Sequence, residues 1–287
     1  MSAVGFLVHE RREAAVRAGD ELARRLRDDG VNTVRLTPDD ASIPVDLVVA
    51  VGGDGTFLRA AFVASRVRAP VLGVKVGRLG FLTEVEPADA LPLIRDALEG
   101  RARIEERLAV VGETEVDGAF PPQWGMNEIM VEKLARQRLV RLRVEVDGAY
   151  VTTFSADGVI VATPTGSTAY SFSARGPIVS PTVPCLVVTP IAAHMVFDRS
   201  FVLASDQVVT LEVVGEEPAL LSADGRETVE VPVGTRVRIR ASNRPARFVR
   251  RDDGSAFLPR VREKFGLPGD PDADDDPPDA GDVGPSG

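Results

Sequence analysis

The chain has 287 residues, a length that favours two domains, and 44% of them are apolar, enough to build cores and to exclude global disorder. The net charge is -9, but seven aspartates and no lysine or arginine fall in 268–287. The remaining body carries only -2, with no basic excess to hold a nucleic-acid backbone.

Ala3–Val8 reads as a strand that runs directly into charged residues, without the cleavage pattern of a signal peptide. Glu13–Asp28 carries Ala14, Ala15, Ala18, Leu22 and Leu26 at helical spacing, and Gly30 suits its end. Strands Val31–Leu36 and Leu47–Val51, helix Phe57–Arg66, strand Val71–Val74 and helix Pro87–Glu99 follow. Alternating strands and helices imply a parallel sheet, whose ligands bind beyond the carboxyl ends of its strands. From about Arg103 the pattern turns strand-rich: Ala109–Val111, Ile129–Val131, Leu139–Val146, Tyr150–Phe154, Val159–Ala162, Leu186–Thr189, Val208–Val214, Thr228–Val231 and Val237–Ala241. Asp147-Gly148 and Asp224-Gly225 read as hairpin turns, and a helical segment follows Pro164. The expected architecture is an α/β domain over 1–102 and a β-rich, sandwich-like domain over 103–252. Residues 253–265 are expected to return to the first domain, and 268–287 to form a disordered acidic tail.

One cysteine, Cys185, cannot form an internal disulfide, and two histidines, His9 and His194, are too few for a His-based zinc site. No apolar run reaches the ~18 residues that cross a bilayer. The expectation is a soluble cytoplasmic protein without membrane or nucleic-acid partners.

Two motifs carry chemistry. The apolar strand 46–51 runs into Gly52-Gly53-Asp54-Gly55-Thr56, and a helix follows. Glycines at a strand-to-helix turn let backbone N–H groups approach an anion, the helix start adds donors, and Thr56 suits the N-cap. Asp54 is unusual beside a phosphate site. It suits a proton acceptor for a hydroxyl that attacks phosphorus, a water-mediated Mg²⁺ contact, or a plain turn former. Arg59 reads equally as a phosphate contact and as a solvated side chain. The second motif, TPTGSTAYSFSARGP at 163–177 after Asp157-Gly158, is too polar for a core. It suits a ribose and base, or a simple Ser/Thr-rich loop.

Together with Gly73–Thr83 (GVKVGRLGFLT) and Asn127-Glu128, these motifs resemble the NAD kinase family, in the family's order across roughly 1–265. GGDGT alone is shared with relatives among diacylglycerol-kinase-like lipid kinases and 6-phosphofructokinases; the TPTGSTAY segment with its upstream Asn-Glu is specific. The resemblance implies phosphoryl transfer from ATP with Mg²⁺, or from polyphosphate, to the 2′-hydroxyl of the adenosine ribose of NAD. It implies a homodimer or homotetramer. Asp54 matches the catalytic proton acceptor, with the Gly52, Gly53, Gly55 and Thr56 loop and Arg59 at the phosphates. Asn127, Glu128, Asp157, Thr168, Ala169, Tyr170 and Ser173 match substrate contacts, and Arg138 a basic contact, although Arg136, Arg141 and Arg143 make a solvated charged face equally apt. His194 matches a loop histidine and is assigned a structural role. Lys75 stands where Asn is common, Arg226 where Gln is usual, and Ser155 where some members carry a cation. Without that cation, Asp157 is expected to stand uncancelled and to favour the oxidised cofactor. The rival readings are a diacylglycerol-kinase-like lipid kinase, which needs an apolar cleft, and a non-catalytic NAD(P) sensor, which has no use for Asp54.

Overall fold

The computed structural model describes residues 2–40, 43–77, 80–114, 120–226, 228–251 and 257–268. The first part alternates β1 (Ala3–Val8), α1 (Glu13–Asp28), β2 (Asn32–Arg35), β3 (Leu47–Gly52), α2 (Asp54–Val67), β4 (Val71–Lys75) and α3 (Pro87–Leu98). Next come β5 (Arg103–Arg107), β6 (Val110–Thr114), β7 (Gln123–Gly125), β8 (Glu128–Lys133), β9 (Val140–Val146), β10 (Ala149–Ala156) and β11 (Gly158–Ala162). A 3₁₀ turn (Thr165–Thr168) and a one-turn helix α4 (Tyr170–Ser173) precede β12 (Cys185–Ile191), β13 (Phe201–Ala204), β14 (Val209–Val214) and β15 (Ala219–Ala223). β16 (Val229–Val231), β17 (Arg236–Ala241) and β18 (Ala246–Arg250) complete the unit 1–252; helix α5 (Phe257–Phe265) lies beyond it. Of the tail expected to be disordered, everything after Pro268 lies outside the described residues, as do Arg78 and Leu79.

The first sheet has the order β2-β1-β3-β4-β18-β5, parallel except for β5. Strand β3 is buried along its whole length, which is why it is apolar on both sides. Phe57, Ala60 and Ala64 of α2 cover one face, while Leu22 and Leu26 of α1 and Ala90 and Ile94 of α3 cover the other.

Two antiparallel sheets, β10-β9-β14-β17-β6-β7 and β13-β12-β11-β8-β15-β16, form the expected sandwich. Their shared core includes Val131, Leu142, Phe154, Val161, Leu186, Leu211 and Ile239. Strand β8 shows the alternation that fixes its register: Ile129 and Val131 point into this core, so Glu128, Met130 and Glu132 lie on the opposite face of the sheet. Asp147 and Gly148, with φ of 50° and 80°, and Asp224 and Gly225, with 50° and 65°, make the two expected hairpin turns.

The boundary expected at 103 needs correction, because β5 and β18 belong to the first sheet rather than to the sandwich. Phe248 of β18 is buried edge-on against Phe57 with ring centroids 4.9 Å apart, and the guanidinium groups of Arg107 and Arg250 lie 4.8 and 5.1 Å from its centre. Arg250 is buried too, paired with Glu84 and 3.4 Å from Glu105. Those carboxylates let an arginine-rich strand enter a sheet interior. The chain thus leaves the first sheet after β5, builds the sandwich and returns through β18.

Candidate active site

Strand β3 ends at Gly52, and Gly53 caps α2, so the helix begins at Asp54, three residues before the expected start. Thr56 is therefore not the N-cap. It is the third helical residue, and its hydroxyl is buried against Gly52, where a Cβ would come within 2.6 Å of Oγ1. A Cβ on Gly53 or Gly55 would meet nothing within 4 Å, so both glycines face open space at the end of the strand. The helix start adds N–H donors and a partial positive charge, which suits a phosphate chain.

The half-buried Asp54 carboxylate is fixed by the backbone N–H groups of Phe81 and Leu82, which donate to Oδ2 at 2.9 Å and Oδ1 at 3.2 Å. Gly80 allows this approach, since a Cβ there would stand 2.0 Å from Oδ1. The turn carrying these donors is tethered at Glu84, which accepts from Arg250 and from the Arg251 N–H. Lys75, beside Gly52 in the sheet register, pairs with Glu86 at 3.1 Å. Arg59 is exposed on α2 and makes no hydrogen bond or ion pair among the described residues.

A second cluster forms where β7 meets β8. The Asp224 carboxylate, its side chain fully buried, accepts the backbone N–H groups of Met126 (2.8 Å), Asn127 (2.7 Å) and Glu128 (3.1 Å). Arg226 lies 3.5 Å from it, donates to the Trp124 carbonyl and stacks 4.1 Å over the Phe62 ring of α2. The arginine that departs from the family's usual glutamine is therefore the counterion of a buried aspartate. Glu128 is nine-tenths buried, and its Oε2 has no hydrogen-bond partner among the described residues. Burial, reinforced by the Asp224 charge, pushes the Glu128 carboxyl up to about 8. Burial raises Asp224 as well, opposed by Arg226 and the three backbone donors. With those donors in place, Asp224 carries the pair's negative charge and Glu128 is the protonated member near neutral pH.

The TPTGSTAY segment lies directly on this cluster, and one expectation about it is reversed. Thr163, Thr165, Ser167 and Ser171 are buried, and three of these hydroxyls brace the protein itself. Thr163 Oγ1 donates to the Met126 carbonyl (2.6 Å) and accepts from Gly166 N–H; Ser167 Oγ donates to the Pro164 carbonyl and accepts from Val179 N–H; Ser171 bonds Thr189. A polar run can enter the interior when most of its buried hydroxyls find partners, here all but that of Thr165 among the described residues. Gly166 is needed because a Cβ would stand 2.1 Å from the Asn127 carbonyl oxygen. Thr168 and Ala169 are half-buried and Tyr170 and Ser173 exposed, so these four remain accessible.

Asp157 sits at the other end of β11 from the residue paired with Glu128, about 16 Å away along the strand. Lys133 Nζ lies 2.5 Å from Asp157 Oδ1, so the expectation of an uncancelled Asp157 is overturned. Lys133 was missed because the cation comes from β8, not from position 155; the cue was its place beside the Asp157 turn in an antiparallel register. Burial, followed by the charges of Glu132, Asp157 and Glu128, raises the Tyr170 phenol. Ser155 on β10 receives the His194 N–H at its carbonyl (2.8 Å), which gives His194 its structural anchor. Arg138, in the β8–β9 turn, pairs with Glu217 at 3.4 Å and lies at the end of β8 opposite to Glu128.

Comparison with known proteins gives one answer. Family models for the ATP-NAD kinase N-terminal and C-terminal domains match residues 19–102 and 126–251. NAD kinase 2 of Streptomyces avermitilis is 36% identical, covering 92% of this chain and 94% of its own. The NAD kinase of Rhodococcus erythropolis is 40% identical over 80% of this chain and 73% of its own. Among solved structures, an NAD kinase from Archaeoglobus fulgidus in complex with ATP superposes with a TM-score of 0.72 at 28% identity, covering 93% of this chain and 97% of that one. Yeast NADH kinase complexed with NADH shares the fold, with a TM-score of 0.83 at 22% identity over 93% of this chain and 88% of that one. The chain therefore belongs to the NAD kinase family.

Proposed function

We infer that the chain is an NAD kinase, which moves the γ-phosphoryl group of ATP to the 2′-hydroxyl of the adenosine ribose of NAD and releases NADP and ADP. The observation that carries this reading is the Asp54 carboxylate, held at the mouth of a glycine-rich strand-to-helix turn by two backbone N–H groups. In the reaction the 2′-oxygen bonds to the γ-phosphorus as the bond to the β–γ bridging oxygen breaks, and Asp54 takes the hydroxyl proton. Each carboxylate oxygen keeps acceptor capacity beyond its one backbone contact. The open faces of Gly53 and Gly55 and the start of α2 receive the phosphates, with Arg59 free to swing toward them.

The second cluster suits the adenosine half of the dinucleotide. Glu128 presents an orphaned, protonated carboxyl that a ribose hydroxyl satisfies, and the adjoining Asn127 offers an amide that can donate to and accept from a base edge. Thr168, Ala169, Tyr170 and Ser173 border it. Asp157 takes the nicotinamide carboxamide, with Lys133 holding the pair neutral, so this end makes no electrostatic choice between NAD and NADH. Arg138, held by Glu217, is a peripheral contact in this reading, and Ser155 and Arg226 act through the elements they anchor.

Among the described residues no group of three His, Cys, Asp or Glu side chains could cage a metal ion. Asp54 alone fits an ion that arrives on the nucleotide, and Mg²⁺ there would neutralise charge on the phosphates. No described helix is long and apolar enough to cross a membrane. We place the enzyme in the cytoplasm as a homodimer or homotetramer; the exposed Tyr170, Phe172 and Ile178, together with Val202, support self-association. Incubating the protein with NAD, ATP and Mg²⁺ and locating the new phosphate by ³¹P NMR tests the reading. Phosphate on the adenosine 2′-oxygen is expected, and no phosphorylated dinucleotide with either ATP or polyphosphate would refute it.

A further inference from the structure

At the far end of α2 from Asp54, a cavity of about 660 Å³ opens against the starts of β4 and β18. In a parallel sheet the reaction site lies beyond the carboxyl ends of the strands, as the Gly52 turn does; this cavity lies at the amino ends. Its lining holds four arginines, Arg66, Arg68, Arg244 and Arg247, against one glutamate, Glu106. Such a concentration of positive charge stands out in a body whose net charge without the acidic tail is only -2. Among the described residues Arg247 alone of the four is ion-paired: it lies 3.8 Å from Glu106 and donates to the Arg68 carbonyl at 3.2 Å, closing the carboxyl end of α2. Arg66, Arg68 and Arg244 are exposed and form no ion pair among the described residues. The partial negative charge at the helix end, about half an elementary charge, is far smaller than the arginine excess. Buried Ala64 and Val71 supply an apolar floor.

We propose that this cavity is a second anion site, separate from the reaction centre, that takes an oligophosphate chain, free or carried by a nucleoside. Several planar guanidinium groups converging on a cavity of nucleotide size suit multidentate phosphate binding, which isolated surface arginines do not provide. The site has its own reporter. Trp124, the chain's one tryptophan, donates its indole N–H to the Arg244 carbonyl at 3.0 Å. Its ring centroid lies 6.3 Å from that of Phe62, over which the Arg66 guanidinium is stacked at 5.6 Å.

The test compares the wild-type protein with Arg68→Glu/Arg244→Glu, two exposed positions outside the reaction centre. Tripolyphosphate and ATP are each titrated by calorimetry for stoichiometry and by Trp124 fluorescence for affinity, at low and high salt. For ATP, two equivalents are expected in the wild type and one in the variant. The salt-sensitive phase seen by fluorescence should weaken by roughly a hundredfold in the variant, on the order of tenfold per reversed charge. NADP formation at saturating substrates should be unchanged in the variant, which also shows that it is folded. Tighter binding of ATP than of tripolyphosphate assigns a contact to the nucleoside; equal binding assigns the site to the phosphate chain alone. One equivalent of ATP in both proteins, or an unchanged affinity in the variant, overturns the proposal.

Discussion

Replacing Glu128 by glutamine tests the electrostatics of the second cluster directly. An unfolded glutamate ionises near 4.5, whereas the folded one holds its proton to about 8. The folded pKa is raised, so the unfolded state releases its proton first as pH climbs. Glu128 therefore lowers stability progressively between about pH 4.5 and 8, and the penalty is constant above that window. The full displacement corresponds to at most about 5 kcal/mol, and coupling to Asp224 reduces what one substitution recovers. Glutamine matches the protonated carboxyl in shape and cannot ionise. Glu128→Gln should thus stabilise the protein by about 2–4 kcal/mol at pH 8.5 and by less than about 1 kcal/mol at pH 5. Equilibrium urea unfolding of both proteins at the two pH values measures this. A stability difference that is the same at pH 5 and 8.5 would refute the protonated, buried Glu128.

Three further outcomes follow from contacts in the two clusters. Lys133→Gln, which uncovers Asp157, should raise the ratio of kcat/KM for NAD over NADH by roughly 3–10-fold, less than a buried charge contact would give because the pair is partly exposed; initial rates with both cofactors check it. Arg250→Ala leaves Glu84 buried without its guanidinium and should cost about 3–5 kcal/mol in urea unfolding, the scale of a broken buried pair. Gly80→Ala pushes a methyl group into the Asp54 carboxylate and should lower kcat by at least ~10-fold while KM for NAD stays within about 3-fold, a split that steady-state kinetics reads directly.

The sequence made the frame legible where local chemistry and fold agree. An apolar strand leading into glycines and two Asp-Gly turns became what their composition implies. The errors arose where a distant partner decides. Strands β5 and β18 carry RIEER and ARFVR, too charged to read as sheet interior until Glu84 and Glu105 are placed beside Arg250. Thr56 has the chemistry of a cap, but α2 starts at Asp54 with Gly53 at the N-cap, and the Thr56 side chain packs against Gly52 instead. The hydroxyls of 163–171 looked like ligand donors, yet the partners of Thr163, Ser167 and Ser171 include Met126, Val179 and Thr189, which lie up to 37 positions away. Asp224 read only as a turn former, and no local pattern indicates that its carboxylate organises three backbone N–H groups across the sheet.

The central claim is that Asp54 takes the proton of the attacking 2′-hydroxyl. Asp54→Asn, assayed for NADP formation from NAD and ATP with Mg²⁺ alongside an equilibrium measurement of NAD binding, tests it most directly. The account predicts a fall in kcat of ~10²–10⁴-fold with NAD affinity within a few-fold of wild type. Near-wild-type turnover in the asparagine variant would contradict it.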